Sequence, residues 1–140
     1  MRRASILLAE DDLDLRETLQ ALLAEFYDVH VASNGEQALD LLTSVKIDLV
    51  LFDFNIPSAT GTLNGAQLTR VLSDMELNTP VIWFTGESRT EIVKQAWRLG
   101  VYEYLEKPFN TATLLQSITR ALENGASALK VRDLRVSFRE

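Results

Sequence analysis

Residues 47–53 of this chain, Ile47-Asp48-Leu49-Val50-Leu51-Phe52-Asp53, form a mainly apolar run that ends in a carboxylate. Short apolar runs of this kind are typical of strands that are buried on both faces of a sheet. A carboxylate at the end of such a strand is costly unless something pairs with it. Ligands of open α/β sheets bind at the carboxyl ends of the strands. We therefore predict that Asp53 has a functional role.

A second acidic cluster, Glu10-Asp11-Asp12, follows the apolar run at residues 5–9 in the same way. If both runs are parallel strands of one sheet, their carboxyl ends lie at the same edge. Two strands that bring carboxylates to one edge make a site for a hard cation. Asp12 is also well placed to cap the helix that follows.

Strand-like runs alternate with helical patterns five times along the chain, which predicts a doubly wound α/β domain with a five-stranded parallel sheet. Ser33, followed three residues later by Glu36, predicts a capping box at the second helix. We assign one domain to residues 1–125 and a C-terminal extension to 126–140, which continues the last helix, forms an arm or is a linker. The predicted strands are 5–9, 28–32, 48–53, 80–84 and 101–105, and the predicted helices are 13–26, 36–45, 66–75, 87–99 and 111–123.

Composition excludes several kinds of site. The chain has no cysteine, so disulfides, zinc–thiolate sites and thiol nucleophiles are excluded. His30 is the one histidine, and it is more typical of a strand residue than of a metal ligand. The net charge of −6 argues against nucleic-acid binding by this domain, although residues 126–140 are slightly basic. No apolar stretch approaches the length of a membrane span, and no signal peptide is expected.

Three more polar residues follow predicted strands at the same edge. Thr85 comes directly after the fourth strand, Lys107 follows the fifth and precedes Pro108, and Asn55 lies two residues after Asp53. Acidic oxygens at this density repel each other unless a cation lies among them, and Mg²⁺ prefers such ligands together with a phosphate. A lysine and a hydroxyl both bind phosphate oxygens. The set predicts a site in which a phosphoryl group is carried on Asp53, since carboxylates are known phosphoryl acceptors.

With these residues identified, the chain resembles the response-regulator receiver domains of two-component signalling, the CheY-like superfamily. Each matching segment alone is weakly specific, but together they occur in the family's order and cover about residues 5–124. The resemblance implies a flavodoxin-like sheet with the strand order 2-1-3-4-5. The matching segments are Ile6–Asp12, Asp48–Asp53 with Pro57, Phe84–Gly86 and Tyr104–Phe109.

The resemblance also implies a role for each site residue. Asp53 would accept a phosphoryl group from the phosphohistidine of a histidine kinase or a phosphotransfer protein. Thr85 and Lys107 would bind the phosphoryl oxygens, and the peptide bond from Lys107 to Pro108 would be cis. The ligands of Mg²⁺ would be Glu10, Asp11, Asp53 and the backbone carbonyl of Asn55, with Asp12 as a neighbour only.

The resemblance further implies a switch. Phosphorylation would draw Thr85 inward, and Tyr104 would turn in from the surface. The face formed by the fourth helix, the fifth strand and the fifth helix would then change for a partner, which is an output protein, a second copy of the chain or an attached output domain. A cytoplasmic location is expected. The domain would be a signalling switch and not an enzyme, with Mg²⁺-dependent self-phosphorylation and autodephosphorylation as its only reactions.

One departure and two alternatives stay open. Relative to the family, the segment Ser58–Asn64 contains about four inserted residues, which either shield the site or are a tolerated surface insertion. A receiver-like interaction module that needs no phosphate is the first alternative. An aspartyl-phosphate phosphatase of the haloacid dehalogenase type is the second, but it needs an acid where Asn55 stands. A dinucleotide site is disfavoured because acids, and not a glycine-rich turn, follow the first strand.

Trp83 is expected in the core, whereas Trp97 is either core or partner surface.

Overall fold

Five parallel strands and the helices between them make up the computed structural model, which describes residues 3–75, 79–86 and 90–124. The strands are β1 (Ser5–Ala9), β2 (Asp28–Ala32), β3 (Leu49–Asp53), β4 (Val81–Thr85) and β5 (Glu103–Glu106). The helices are α1 (Leu13–Ala24), α2 (Gly35–Ser44), α3 (Gly65–Asp74), α4 (Thr90–Leu99) and α5 (residues 111–124).

The strands pair in the order β2-β1-β3-β4-β5, and each pair is parallel. This result confirms the predicted sheet and its strand order. In the register, Ala9 lies opposite Phe52, and Asp53 lies opposite Phe84. Because parallel strands end on the same side, the residues after β1, β3, β4 and β5 meet at one edge of the sheet.

Each face of the sheet is covered by its own apolar layer. One layer combines strand residues such as Val50 and Phe52 with side chains from α2, α3 and α4. The other combines Ile6 and Leu51 with side chains from α1 and α5. The central strands β1, β3 and β4 are buried along their whole length, which explains why they are almost continuously apolar in sequence.

Trp83 in β4 is fully buried, as predicted, whereas Trp97 on α4 is 42% exposed. The indole N–H of Trp83 donates to Thr69 Oγ1 at 2.9 Å, and the Thr69 hydroxyl donates to the Gly65 carbonyl at 2.8 Å. The ring centroid of Phe54 lies 4.9 Å from that of Trp83. These contacts tie β4 to the first turn of α3 and to the residue after Asp53.

Most predicted boundaries agree with the structure to within two residues, and β5 shows why one of them shifts. The prediction began this strand at Val101, but β5 begins at Glu103. Gly100 has φ +77°, its N–H donates to Trp97, and the N–H of Val101 donates to the Ala96 carbonyl at 3.0 Å. Val101 therefore still belongs to the turn that ends α4, as in a Schellman motif.

His30 is a half-buried residue of β2, as predicted. The predicted start of the fourth helix at Glu87 and the extension at 126–140 both lie outside the described residues. Among the helices that the structure describes, none has the length and apolar character needed to cross a membrane.

The predicted capping box of Ser33 and Glu36 is wrong, because the cap lies one residue later. Asn34 caps α2 by accepting from the Gln37 N–H at 2.8 Å. The Gln37 side chain accepts in return from the Ser33 N–H at 2.8 Å. Asparagine is as good an N-cap as serine, but Gln37 binds the backbone of the residue before the cap and not that of Asn34, so no capping box forms at α2. Glu36 is thus available for other contacts.

Glu36 binds the segment that follows β3. Its carboxylate accepts from Ser58 Oγ at 2.7 Å, from the Ala59 N–H at 2.8 Å and from Thr60 Oγ1 at 2.8 Å. The hydrogen bonds from Ser58 and Thr60 lower the pKa of Glu36 from 4.5 to about 2. We refer to residues 58–64 as the 58–64 loop. It ends at Asn64, which forms a capping box at the start of α3.

The 58–64 loop lies directly against the first turn of α2. The Gly35 N–H donates to the Pro57 carbonyl at 2.9 Å. A Cβ atom on Gly35 would lie 1.8 Å from the carbonyl oxygen of Leu63, so only glycine fits at this position without movement. The start of α2 therefore holds the chain both at Pro57, before the loop, and at Leu63, near its end.

We expect the contribution of Glu36 to stability to disappear in acid. Its folded pKa of about 2 lies below the ordinary value of 4.5, so the stabilisation is complete well above pH 4.5 and is lost as the pH falls towards 2. The urea midpoint of the wild type should exceed that of Glu36→Gln at about pH 7, and the difference should shrink by about pH 3. Asp40→Asn, an exposed acid on the same helix, is the control. A difference that is equal at both pH values would contradict this expectation.

We expect Gly35→Ala to destabilise the protein, although alanine normally replaces glycine in a helix with a gain of about 1 kcal/mol. The new Cβ atom would meet the Leu63 carbonyl at 1.8 Å and must displace the 58–64 loop. The free energy of unfolding should fall by about 1–3 kcal/mol, as for other overpacked sites. Gly86→Ala is the matched control, because nothing lies within 4 Å of the position that a Cβ atom would take there. Urea denaturation measures both, and a stabilised Gly35→Ala variant would show that the loop does not lie on α2.

Candidate functional site

The carboxyl edge of the sheet brings together the predicted acids, the threonine and the lysine. Glu10, Asp53 and Thr85 are buried, with 1%, 6% and 0% of their surface exposed, while Asp11 is exposed and Lys107 is partly exposed. Each residue is placed by the strand that precedes it. Two buried acids at one edge require a counter-charge.

Lys107 supplies that counter-charge. Its Nζ lies 2.8 Å from Asp53 Oδ2 and 3.0 Å from Glu10 Oε1. The Lys107 backbone N–H donates to the Thr85 carbonyl, which continues the pairing of β5 with β4. The Nζ atom also lies 5.1 Å from the centroid of the Phe84 ring. Burial alone would lower the pKa of Lys107, but the hydrogen bonds to Asp53 and Glu10 outweigh it and raise the pKa.

Glu10 is fixed by its backbone and by both oxygens of its side chain. Its N–H donates to the Ala32 carbonyl at 3.0 Å, and its own carbonyl accepts from the Arg16 guanidinium at 2.9 Å. Oε2 accepts from the Asp12 N–H at 2.9 Å, which leaves Oε1 for Lys107. Burial raises the pKa of Glu10, and the contacts with Asp12 and Lys107 oppose this effect.

Asp53 is equally well fixed. Oδ1 accepts from the Asn55 N–H at 2.8 Å, and Oδ2 accepts from Lys107 at 2.8 Å. The backbone carbonyl of Asp53 accepts from the Ile56 N–H at 3.0 Å, which turns the chain sharply after β3. The carboxylate is thus held by a backbone donor on one side and by a cation on the other.

The acids at this edge form a group that could hold a metal ion. One oxygen atom from each of Glu10, Asp11 and Asp53 lies within 4.8 Å of the other two. Carboxylate oxygens are the ligands that Mg²⁺ prefers, and a site with one exposed acid leaves room for the waters that Mg²⁺ retains. Asp12 has another task, since its Oδ1 accepts from the Leu15 N–H at 3.2 Å and caps α1, as predicted.

The structure does not join every predicted residue to this group. Asn55 is exposed, and its described contact uses the backbone N–H, so its carbonyl remains a predicted ligand. Tyr104 lies opposite Trp83 in β5, where it is half-buried against the layer formed with α2, α3 and α4. The peptide bond between Lys107 and Pro108 is cis, as predicted.

Two residues of the site were missed by the sequence analysis. Arg16 holds the Glu10 carbonyl, and Phe84 lies beside the Lys107 ammonium group. Arg16 lies four residues after Asp12, on the turn of α1 nearest the site, and helical spacing could have indicated it. Phe84 belongs to one of the segments that resemble the family, but nothing in the sequence separates its role at the site from that of the other apolar residues of β4.

Comparison with known proteins agrees with this geometry. Residues 6–119 match the response regulator receiver domain family. The chain therefore belongs to the response regulator receiver domains of two-component systems, and these domains are signalling switches rather than conventional enzymes. Receiver domains bind Mg²⁺ at an acidic pocket, and Glu10, Asp11 and Asp53 form such an acidic group here.

Relatives and solved structures extend the match over most of the chain. It is 30% identical to the regulatory protein AtoC of Escherichia coli over 92% of this chain and 27% of that protein. It is 34% identical to the transcriptional regulatory protein CrdR of Helicobacter pylori over 82% of this chain and 53% of that protein. The chain thus spans between about a quarter and about a half of these relatives.

Two solved structures show the same fold. The signal receiver domain of an HD domain-containing protein from Pseudomonas fluorescens matches with a TM-score of 0.80 and 32% identity, over 88% of this chain and 97% of that one. A CheY-like receiver domain protein from Methanospirillum hungatei matches with a TM-score of 0.77 and 27% identity, over 87% of this chain and 95% of that one.

We expect Lys107→Met to destabilise the protein, because it leaves the carboxylates of Glu10 and Asp53 without their shared counter-charge. The side chain of Lys107 is 27% exposed, so the loss should be about 1–3 kcal/mol, below that of a fully buried pair. The measurement is urea denaturation in metal-free buffer, with the exposed Lys46→Met as the control. Added Mg²⁺ should restore part of the loss by replacing the missing charge. Equal stability of the two variants would contradict this expectation.

Proposed function

We propose that this chain is a phosphoacceptor receiver in which Asp53 accepts a phosphoryl group in a reaction that depends on Mg²⁺. The observation that supports this most strongly is the position of the Lys107 ammonium group, which lies 2.8 Å from Asp53 and 3.0 Å from Glu10. Lys107 can give up its contact with one of these two carboxylates and bind a phosphoryl oxygen instead. The family match supports a histidine kinase or a phosphotransfer protein as the partner, and we propose its phosphohistidine as the phosphoryl donor.

In the proposed reaction, an oxygen of Asp53 forms a bond to phosphorus while the bond from phosphorus to the histidine nitrogen breaks. The leaving imidazole keeps the electron pair, and a phosphoaspartate forms. Asp53 needs little preparation, because its Oδ1 is already held by the Asn55 N–H at 2.8 Å. Lys107 then binds a phosphoryl oxygen, and the hydroxyl of Thr85 donates to another.

Glu10, Asp11 and Asp53 would hold the Mg²⁺ ion, together with the backbone carbonyl of Asn55. When it is bound, the ion neutralises negative charge that develops on the phosphoryl oxygens. Glu10 is suited to this role because its other oxygen is fixed by the Asp12 N–H at 2.9 Å. Asp11, which is exposed, gives the ion and its waters access to solvent.

The signal would pass from Thr85 to Tyr104 and then to the face of α4, β5 and α5. Thr85 is buried at the end of β4, and β5 pairs directly with that strand, so movement of the threonine reaches β5 without an intermediary. We propose that this face binds an output protein, a second copy of the chain or an attached output domain, in the cytoplasm. In this scheme residues 1–125 are the receiver domain and residues 126–140 extend it.

The test is the intact mass of the protein after incubation with acetyl phosphate, a small phosphoryl donor, and Mg²⁺. We expect one phosphoryl adduct on the wild type, since Asp53 is the proposed acceptor. The adduct should be absent without Mg²⁺ and absent from Asp53→Asn, which keeps the shape of the side chain. Thr85→Ala should still form the adduct but more slowly, because one donor to the phosphoryl group is lost.

The possible results separate the proposed functions. An adduct that persists in Asp53→Asn would place the acceptor elsewhere and contradict the assignment. The absence of any adduct on folded wild type would favour an interaction module that needs no phosphate. Hydrolysis of a phosphate monoester at many turnovers per protein would favour a phosphatase, although the residue two positions after Asp53 is Asn55 and not an acid.

A further inference from the structure

The 58–64 loop is attached to α2 mainly through one side chain, that of Glu36. Ser58 Oγ, the Ala59 N–H and Thr60 Oγ1 all donate to this carboxylate, at 2.7–2.8 Å. Hydrogen bonds to a charged acceptor are roughly twice as strong as those between neutral groups. The Ser58 hydroxyl also accepts from the Leu63 N–H at 2.9 Å, so the same contact organises the rest of the loop.

The loop begins only five residues after Asp53, and the segment between them is short. Its first part is held by Asp53 itself, through Oδ1 to the Asn55 N–H and through the backbone carbonyl to the Ile56 N–H. Ile56 is buried, and the Pro57 carbonyl accepts from the Gly35 N–H. The backbone of Asn55 therefore lies between the phosphoacceptor and a loop whose position is set by α2.

A simpler account is that Glu36 is only an acid in the first turn of a helix, where it interacts favourably with the helix dipole. That account explains neither the three donors from residues 58–60 nor the organised path of the loop. Asn34 already serves as the N-cap of α2, so capping does not require Glu36. The contacts of Glu36 instead extend the rigid part of the fold to within a few residues of the acidic group.

We propose that Glu36 is a positioning residue for Mg²⁺ at the Asp53 site, acting through the 58–64 loop on the backbone of Asn55. This inference rests on the proposed function, in which the Asn55 carbonyl is a ligand. Mg²⁺ demands nearly ideal octahedral geometry, so a carbonyl that moves freely is a poor ligand. Release of the loop from α2 would widen the range of positions that this carbonyl occupies and weaken the affinity for Mg²⁺.

The experiment compares wild type, Glu36→Gln and Asp40→Asn, each as the whole chain of 140 residues. Mg²⁺ binding is measured by calorimetry, and the rate of phosphorylation by acetyl phosphate is measured over a range of Mg²⁺ concentrations. In Glu36→Gln we expect the Mg²⁺ concentration at half-saturation to rise by about threefold to tenfold. Loss of a residue that contacts a metal ligand directly typically lowers metal affinity by about tenfold or more, and Glu36 acts less directly. The maximal rate at saturating Mg²⁺ should stay within about twofold of the wild type, because Asp53, Thr85 and Lys107 are unchanged.

Thr60→Val provides a second variant that leaves α2 intact. Valine has nearly the same shape as threonine but removes the hydroxyl that donates to Glu36 at 2.8 Å. Thr60→Val should also raise the Mg²⁺ concentration at half-saturation, but by a smaller factor than Glu36→Gln. Asp40→Asn removes a charge from the same helix at an exposed position and should bind Mg²⁺ as the wild type does.

Two results would overturn the inference while leaving the proposed function intact. One is an unchanged Mg²⁺ dependence in both Glu36→Gln and Thr60→Val. The other is a fall in the maximal rate with no shift in half-saturation, which indicates general structural damage. If the wild type itself neither binds Mg²⁺ nor forms an adduct, the proposed function fails and this inference fails with it.

Discussion

The interaction on which the site depends is the ion pair that the Lys107 ammonium group makes with two carboxylates at once. Glu10 and Asp53 are almost completely buried, and two such acids close together repel each other. Lys107 Nζ lies within 3.0 Å of an oxygen of each, and its positive charge offsets the repulsion between the two carboxylates. The rest of the fold serves to bring these three side chains, which come from distant parts of the chain, to the same place.

The parallel sheet achieves this through its register. Strands β1 and β3 are neighbours at the centre, so the residues that follow Ala9 and Phe52 emerge side by side. The pairing of β4 with β5 places Thr85 opposite Glu106, and Lys107 comes next. A slip of one residue in any of these pairs would turn the side chains to the opposite face of the sheet. Because β1, β3 and β4 are buried on both faces, their register depends on the close fit of individual side chains in the two apolar layers and not on alternation of polar and apolar residues.

The sequence predicted these features well because they depend on local pattern. Apolar runs located the strands, and Asp53, Thr85 and Lys107 were found by their positions after those runs. What the pattern could not predict depends on where distant segments meet. Ser33 and Glu36 have the spacing of a capping box, yet Asn34 is the cap, and Glu36 binds a loop 22–24 residues away. Val101 has strand character, but the turn after α4 uses its N–H.

The crowding of acids at the sheet edge also has a consequence for how this protein responds to selection. Glu10, Asp11 and Asp53 lie within 4.8 Å of one another, and an amide at one of these positions would relieve their mutual repulsion. Chains chosen for stability alone would drift towards such replacements and lose the acidic group. The pocket is thus a trade-off between thermal stability and signalling, in which a crowded group of acids persists only as long as its chemistry is needed.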